Sequence, residues 1–391
     1  MSATLASSPS PRSADLRPID LPALTPLRGL AALWVILYHF TWQYFPQLNS
    51  ETFTQAIAKG YLAVDLFFLL SGFVLTHVYL ARFRESVTAR DYRGFLVARV
   101  ARVYPLHLFV LAAFVIAEFI FAHGRAVMPL DGPLSVTAIF ANIFMLQGLD
   151  ALRLSWNYPA WSISLEFAAY LIFPLALPLL CQGGWLRRAL VASGCTAIIA
   201  WLAFATEDGL NQWSGPLALA RCLPEFFLGS LVYGVYRSGR WAGWLQSDRT
   251  LLLIAAALTL TLHSGAHDAL AVPLFVLLIL AAVSNQGRGG ALLNCRPLAW
   301  LGDISYSTYL LHGFMLYLAG RALPYLFSTV DPGLLSFAQA AAMAVAMLGA
   351  TLLAAAWTYR AVELRSRAFL RERLSRLGAK RAAAANRAAF T

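Results

Sequence analysis

Long apolar runs recur along this chain, and all but two short ones, 250–264 and 269–283, are about long enough to cross the ~30 Å hydrocarbon core of a bilayer as a helix. They lie near residues 25–45, 61–81, 103–123, 159–181, 189–206, 217–236, 250–264, 269–283, 302–320 and 335–358. Backbone in lipid must pair its own N–H and C=O groups, and uninterrupted runs of this length do so as helices. With 59% hydrophobic and 13% charged residues, the chain has too little charge to cover a water-exposed surface at 391 residues. The sequence therefore predicts an all-α, polytopic membrane protein of about ten transmembrane helices.

A formal net charge of +11 would suit nucleic acid, but the positions of the charges point elsewhere. Only Lys59 and Lys380 are lysines; the arginines gather between apolar runs and in the C-terminal stretch. With a cytoplasmic N-terminus, 24 of the thirty basic residues fall on the cytoplasmic side, six of them in the loop 82–102. That is the positive-inside pattern, and the partner it implies is an anionic bilayer surface, not nucleic acid. Both termini are then expected in the cytoplasm. "PLSVTAIFANIFMLQGL", 133–149, is apolar enough to cross, but a crossing there would invert every later charge. It is expected to be re-entrant or interfacial within an external segment 124–158.

Residues 1–23 are Ser/Pro/Ala-rich with no early apolar core, which predicts a disordered tail and no cleaved signal peptide. Residues 24–365 form the expected membrane domain, and 366–391 a basic, Ala-rich cytoplasmic tail. No soluble domain is expected to follow. The four cysteines and the histidines show no metal-type spacing, so no metal site is expected.

The first run, "LRGLAALWVILYHF", carries Arg28 and His39 on nearly one helical face, ~16 Å apart in rise. Ionisable groups at such depth are costly and usually functional. Counting ~1.5 Å per residue puts His39, Asp65 of the second run and Glu166 of the fourth at similar height in the outer half. Such a cluster suits proton transfer. A carboxylate on the far nitrogen of His39 would fix its tautomer and stabilise the imidazolium, and Asp65 or Glu166 is a candidate for that place. The bland reading is that the carboxylates merely tie helices together.

Near the opposite surface, Arg28 is close in height to Arg99 and Arg102 of "RVARVYPLH". Guanidinium clusters grip phosphate bidentately, so a phosphorylated ligand is one reading and lipid headgroups another. Arg221 and Glu225 stand one turn apart, which favours a structural ion pair over acceptor binding. Trp161 is a candidate for stacking on a sugar ring, or an interfacial anchor. His77 and His107 are expected near the inner surface, and His123, His263 and His267 near the outer one.

The stretches "PLRGLAALWVILYHF", "YLAVDLFFLLSGFVLT", "RVARVYPLH", "WSISLEFAAYLIFP", "LPEFFLGSLVYG" and "LGDISYSTYLLH" occur in the order that resembles acyltransferase family 3. These are bacterial integral-membrane O-acyltransferases of polysaccharides, lipopolysaccharide, Nod factors and macrolides. The resemblance spans roughly 22–365. It implies that Arg28 and His39 form the family's Arg-x10-His pair, with His39 catalytic. It implies that Arg99 and Arg102 are its Arg-x-x-Arg motif on the acyl-CoA side. Asp65 and Ser71 then belong to its "D-x-F-F-x-x-S-G-F" helix, Glu166 to "W-S-x-x-x-E", and Tyr306 and His312 to "S-Y-x-x-Y-L-x-H". "AVELRSR" keeps Glu363 but lacks the proline that often follows it by two positions.

The resemblance implies an acyl-CoA donor, acetyl-CoA by family frequency, docking at Arg28, Arg99, Arg102 and Tyr306 from the cytoplasmic face of a bacterial inner membrane. His39, with Asp65 and Glu166, would transfer the acyl group to a hydroxyl of a cell-envelope carbohydrate, as general base or as acyl acceptor. Trp161, Arg221, Ser71 and His312 are the candidate substrate-binding residues. The competing classes are a transporter or flippase for a saccharide, which ten spans with intramembrane charges also suit, and a membrane glycosyltransferase.

Overall fold

The structure, a computed structural model, describes residues 21–48, 54–122, 129, 131–149, 155–182, 184–212, 215–326, 335–369 and 372. The expected tail before residue 21, His123, Arg125, Arg153 and nearly all of the basic C-terminal stretch lie outside the described residues.

Helices overlie every expected span: α1 (Leu24–Gln43), α2 (Ala63–Phe83), α3 (Ala89–Phe121), α5 (Trp161–Gln182), α6 (Trp185–Phe204), α7 (Pro216–Ser238), α9 (Asp248–His263), α10 (Ala271–Ser284), α13 (Ser305–Leu326) and α14 (Phe337–Thr358). Shorter helices α4 (Val136–Ile143), α8 (Ala242–Leu245), α11 (Arg288–Leu293) and α12 (Arg296–Asp303) lie between them. Among the described residues six stretches are long and apolar enough to cross a membrane: 58–83, 89–121, 158–182, 185–204, 216–238 and 337–369. The apolar window of α2 is 67% buried and those of α6 and α14 only 22%, so α2 is central and the other two peripheral. The outward faces of α6 and α14 carry exposed Leu190, Trp201, Val345, Leu353 and Trp357, a surface matched to acyl chains.

Helix α3 departs most from expectation. It starts at Ala89, not near 103, and runs unbroken through Pro105 for 33 residues. Arginine is a good helix former, and the Thr88 side chain accepts from the Asp91 N–H, capping the helix below its charges. The Arg-rich stretch is therefore the first part of a helix ~50 Å long, and Arg99 and Arg102 project from that helix rather than from a loop. The same shift moves His107 away from the inner surface. Its Nε2 lies 2.9 Å from the Asn142 carbonyl, within the segment expected outside.

That segment does not cross. Helix α4 has eight residues, ~12 Å, and the chain reverses after it at Met145, whose φ is +57°. It is fastened by hydrogen bonds from Asn142 Nδ2 to Ser155 Oγ (2.7 Å), from Gln147 Nε2 to the Ala160 carbonyl (3.0 Å) and from the Gly148 N–H to Ser164 Oγ (2.8 Å).

The connecting segments sort into two ends. At one, Lys59 Nζ pairs with Asp268 at 2.6 Å, the Leu210 N–H donates to the same carboxylate, and the Gln55 N–H donates to the His263 carbonyl. At the other, Asp248 accepts from the N–H groups of Arg288 and Gly289, and Gln182 donates to the Glu85 carbonyl. The closest helix crossing joins α2 to α7. A β-carbon at Gly72 would collide with the Phe226 carbonyl oxygen, and one at Gly229 with the Leu69 carbonyl oxygen. The glycine of "LSGF" and that of "FLGS" are thus reciprocal halves of one backbone contact.

Candidate functional site

Helices α1, α2, α3, α5 and α13 enclose a cavity whose wall includes Arg28, Ser71, Arg99, Arg102, Glu166, Tyr170, Ser305 and Tyr306. Five residues proposed from separate stretches of sequence for donor or substrate contact (Arg28, Ser71, Arg99, Arg102 and Tyr306) therefore share one wall. On α2 the lining runs from Leu75 to Val64, ~16 Å of rise, matching that from Arg28 to His39. The cavity's far limit is set by Ser162 and Tyr309. Their hydroxyls lie 2.7 Å apart, and Tyr309 donates to the Pro159 carbonyl at 3.0 Å.

The lower part of this cavity is strongly cationic. Among the described residues, neither Arg28 nor Arg99 has a carboxylate within 4 Å. Arg99 lies over the rings of Tyr79, Phe95 and Tyr170 at 5.6–5.9 Å, a cation–π box that orients the guanidinium without neutralising it. Its Nε and the Ser305 Oγ are shielded from solvent and have no hydrogen-bond partner. Buried polar atoms without partners are rare, and here two belong to residues that line one cavity. Arg102 sits 5.8 Å above the Tyr306 ring and 3.4 Å from Glu363. The Tyr306 hydroxyl donates to the Val103 carbonyl at 2.8 Å, which leaves only its ring to face the cavity.

Glu166 belongs to this cavity and not to the His39 site. It lines the wall together with Tyr170, one turn further along α5, and Ser71 of α2. Asp65 is also away from His39. Its carboxylate takes a bidentate pair from Arg221, with Nε at 2.8 Å and Nη2 at 2.5 Å, while Arg221 Nη1 donates to the Leu210 carbonyl at 2.6 Å. Both side chains are closed to solvent, at 2% and 0% exposure. This corrects two expectations. Arg221 pairs across helices with Asp65 rather than along its own helix with Glu225, and its guanidinium, expected to face a substrate, is buried and held by Asp65 and the Leu210 carbonyl. Trp161 covers the same guanidinium, 5.9 Å from ring centre to Cζ.

The partner of His39 is another imidazole. His312 Nε2 lies 3.1 Å from His39 Nδ1, with the rings stacked 5.0 Å apart at 27°. His312 Nδ1 faces the Tyr309 carbonyl at 2.5 Å. A carbonyl only accepts, so His312 Nδ1 carries the hydrogen. Neutral His312 then presents a lone pair at Nε2, His39 Nδ1 donates to it, and the His39 lone pair resides on Nε2. Fully buried His312 thus fixes the tautomer of half-buried His39, and has no nitrogen left for a substrate. The pair sits one helical turn beyond Tyr309, just past the end of the cationic cavity.

Sequence reasoning passed over Tyr158, whose ring meets His39 edge-on at 5.1 Å. It lies in the irregular "NYPA" ahead of α5, where no period marks it. It also left open what Glu363 touches. A π-helical turn, Tyr359–Leu364, buries this carboxylate against Ser307, Arg102 and Arg367. Among the described residues no His/Cys/Asp/Glu group is arranged to hold a metal.

Comparison with known proteins gives the family. The profile of the acyltransferase family 3 domain, described as "Acyltransferase domain", matches residues 21–360. "Acyltransferase MdmB" of Streptomyces mycarofaciens is 30% identical over 378 residues, covering 89% of this chain and 92% of the relative. "O-acetyltransferase OatA" of Staphylococcus aureus is 24% identical over 326 residues; the match covers 75% of this chain and 50% of that relative. No solved structure matches. On the family match over most of its length, and on a 30%-identical relative spanned almost end to end, the chain belongs to acyltransferase family 3.

Proposed function

We propose that the protein is a membrane O-acyltransferase of the bacterial cytoplasmic membrane, with both termini inside. It takes an acyl group, acetyl in the first instance, from cytoplasmic acyl-CoA and places it on a hydroxyl of a cell-envelope carbohydrate. The observation that carries this reading is the cationic cavity that rises ~16 Å to within a turn of the His39–His312 pair. The phosphates of the donor meet Arg28, Arg99 and Arg102 at the mouth. Its pantetheine arm follows the apolar wall of α2, and the Ser162–Tyr309 contact opens for the thioester to reach His39.

His39 Nε2 accepts the proton of the acceptor hydroxyl as that oxygen attacks the thioester carbon. The C–S bond then breaks, and the departing thiolate takes the proton from the imidazolium to leave the free thiol. His312 holds His39 in the tautomer this requires. The charge on His39 is transient, which suits a neutral partner on the other nitrogen in a site this dry.

The test is transfer from radiolabelled acetyl-CoA to envelope glycan by the purified protein in lipid nanodiscs. His39→Ala is expected to abolish it. Full activity in that variant would remove His39 from the chemistry, and movement of saccharide without consumption of acyl-CoA would replace an acyltransferase by a flippase. Mass spectrometry of surface glycans from cells with and without the gene identifies the ester and its carrier together.

A further inference from the structure

The Tyr158 hydroxyl is shielded from solvent and, among the described residues, has no hydrogen-bond partner. A buried hydroxyl without a partner forfeits ~1–3 kcal/mol, so its persistence calls for an explanation. Its surroundings supply one. The Tyr158 ring stands edge-on to both imidazoles, 5.1 Å and 73° from His39 and 6.4 Å and 83° from His312. Its backbone is clamped on both sides. Asn157 Nδ2 donates to the Leu310 carbonyl at 3.1 Å, and the Pro159 carbonyl accepts from Tyr309 at 3.0 Å. Both clamps reach α13, the helix that carries His312, so tyrosine and histidine pair are fixed to one frame.

We infer that Tyr158 is a catalytic residue, the hydrogen-bond donor to the oxygen that becomes negative when the acyl group is attacked. The inference rests on the reading of the site as an acyltransferase centre. As the acceptor oxygen bonds to the thioester carbon, the carbonyl π pair moves onto its oxygen, and His39 holds the acceptor's proton. Tyr158 donates a hydrogen bond to that oxyanion and keeps its own proton. When the C–S bond breaks, the pair returns to re-form the carbonyl and the thiolate leaves with the proton from His39. A preorganised donor in a water-poor site lowers the barrier because nothing must reorient as the charge appears. The unpartnered state of the hydroxyl is what such a donor requires: among the described residues no protein acceptor competes for it.

Tyr158→Phe removes only the oxygen. The expected result in nanodiscs with acetyl-CoA is a kcat ~10²–10³-fold below wild type, with KM for the donor within ~2-fold. Thermal unfolding should be unchanged or shifted upward, since an unpaired polar atom has been deleted. A kcat within 3-fold of wild type would overturn the inference, as would a rate loss that tracks a lowered unfolding temperature. His39→Ala is assayed alongside. If that variant is inactive while Tyr158→Phe is not, only the role of Tyr158 fails; if His39→Ala is active, the acyltransferase reading of the site fails with it. A difluorotyrosine at 158, a stronger donor of unchanged shape, should restore or exceed the wild-type rate, and a rate no better than that of Tyr158→Phe counts against the inference.

Discussion

His312 Nε2 stands 3.1 Å from His39 Nδ1, in the place where a carboxylate was expected. Among the described residues no carboxylate is hydrogen-bonded to either ring. An imidazole held by a backbone carbonyl orients its neighbour as a carboxylate would, without placing a permanent charge beside it. His312→Ala should therefore cost activity through orientation: kcat falling ~10²-fold with KM for acyl-CoA unchanged, while His39→Ala loses the whole general-base contribution of ~10²–10⁴. His312→Gln keeps an amide oxygen able to accept from His39 Nδ1 and should recover part of the rate. Steady-state kinetics with a pH–rate profile for each variant checks this. A profile identical to wild type with reduced protein stability would mark His312 as packing alone.

Arg99 is the purest test of the donor mouth, because aromatic rings hold it and, among the described residues, no carboxylate lies within ion-pair distance. A hydrogen bond to a charged group is worth ~1.5–3 kcal/mol, so Arg99→Ala should raise KM for acyl-CoA ~10–100-fold and leave kcat nearly intact. Arg99→Lys should recover little, since a lysine cannot offer the planar fork. Raising the salt concentration should weaken wild-type donor binding more than that of the variant.

Asp65 and Arg221 form a two-hydrogen-bond ion pair sealed from solvent between α2 and α7. Removing one partner strands the other charge, at a cost of ~3–5 kcal/mol. Asp65→Asn and Arg221→Met should each sharply lower thermal stability, whereas the double variant should be closer to wild type than either single one. Additive losses in that cycle would show that the two act independently.

What the sequence reveals here, and what it hides, follows from geometry. Depth is legible: ~1.5 Å per residue places Arg28, Arg99 and Arg102 near one level, and these residues line one cavity with Ser71, Glu166 and Tyr306. Azimuth is not. Asp65 and His39 can share a height and still face different neighbours, because the rotation of α2 is set by the Gly72–Gly229 crossing and by Arg221, 156 residues away. Local spacing made Glu225 look like the partner of Arg221, since only contacts along one helix can be read from spacing. The start of α3 was hidden for another reason. Arginines at a membrane surface read as loop by charge, yet they are sound helix formers once Thr88 caps them.

Glu363 ties the mouth of the cavity to the π-helical turn that follows α14. Its carboxylate accepts from Ser307 Oγ and Arg367 Nη2, each at 2.5 Å, and from Arg102 Nη1 at 3.4 Å. Arg365 stands where the family resemblance implies proline, and the helix continues far enough for Arg367 to fold back one turn onto Glu363. The π-helical turn supplies the extra residue that aims the carboxylate inward rather than along the surface. Two effects can then be separated. Glu363→Gln keeps an oxygen for Ser307 and should unfold within ~1 kcal/mol of wild type, but it loses the charge that holds Arg102 over Tyr306. KM for acyl-CoA should rise ~3–10-fold at unchanged kcat, the size of one weakened charged contact. Glu363→Ala should show the same KM and lose a further ~1–3 kcal/mol of stability, because the buried Ser307 hydroxyl is left unpaired. Equal stability in the two variants would mean that the Ser307 hydrogen bond contributes nothing, and a KM equal to wild type in both would mean that the clamp on Arg102 has no part in holding the donor.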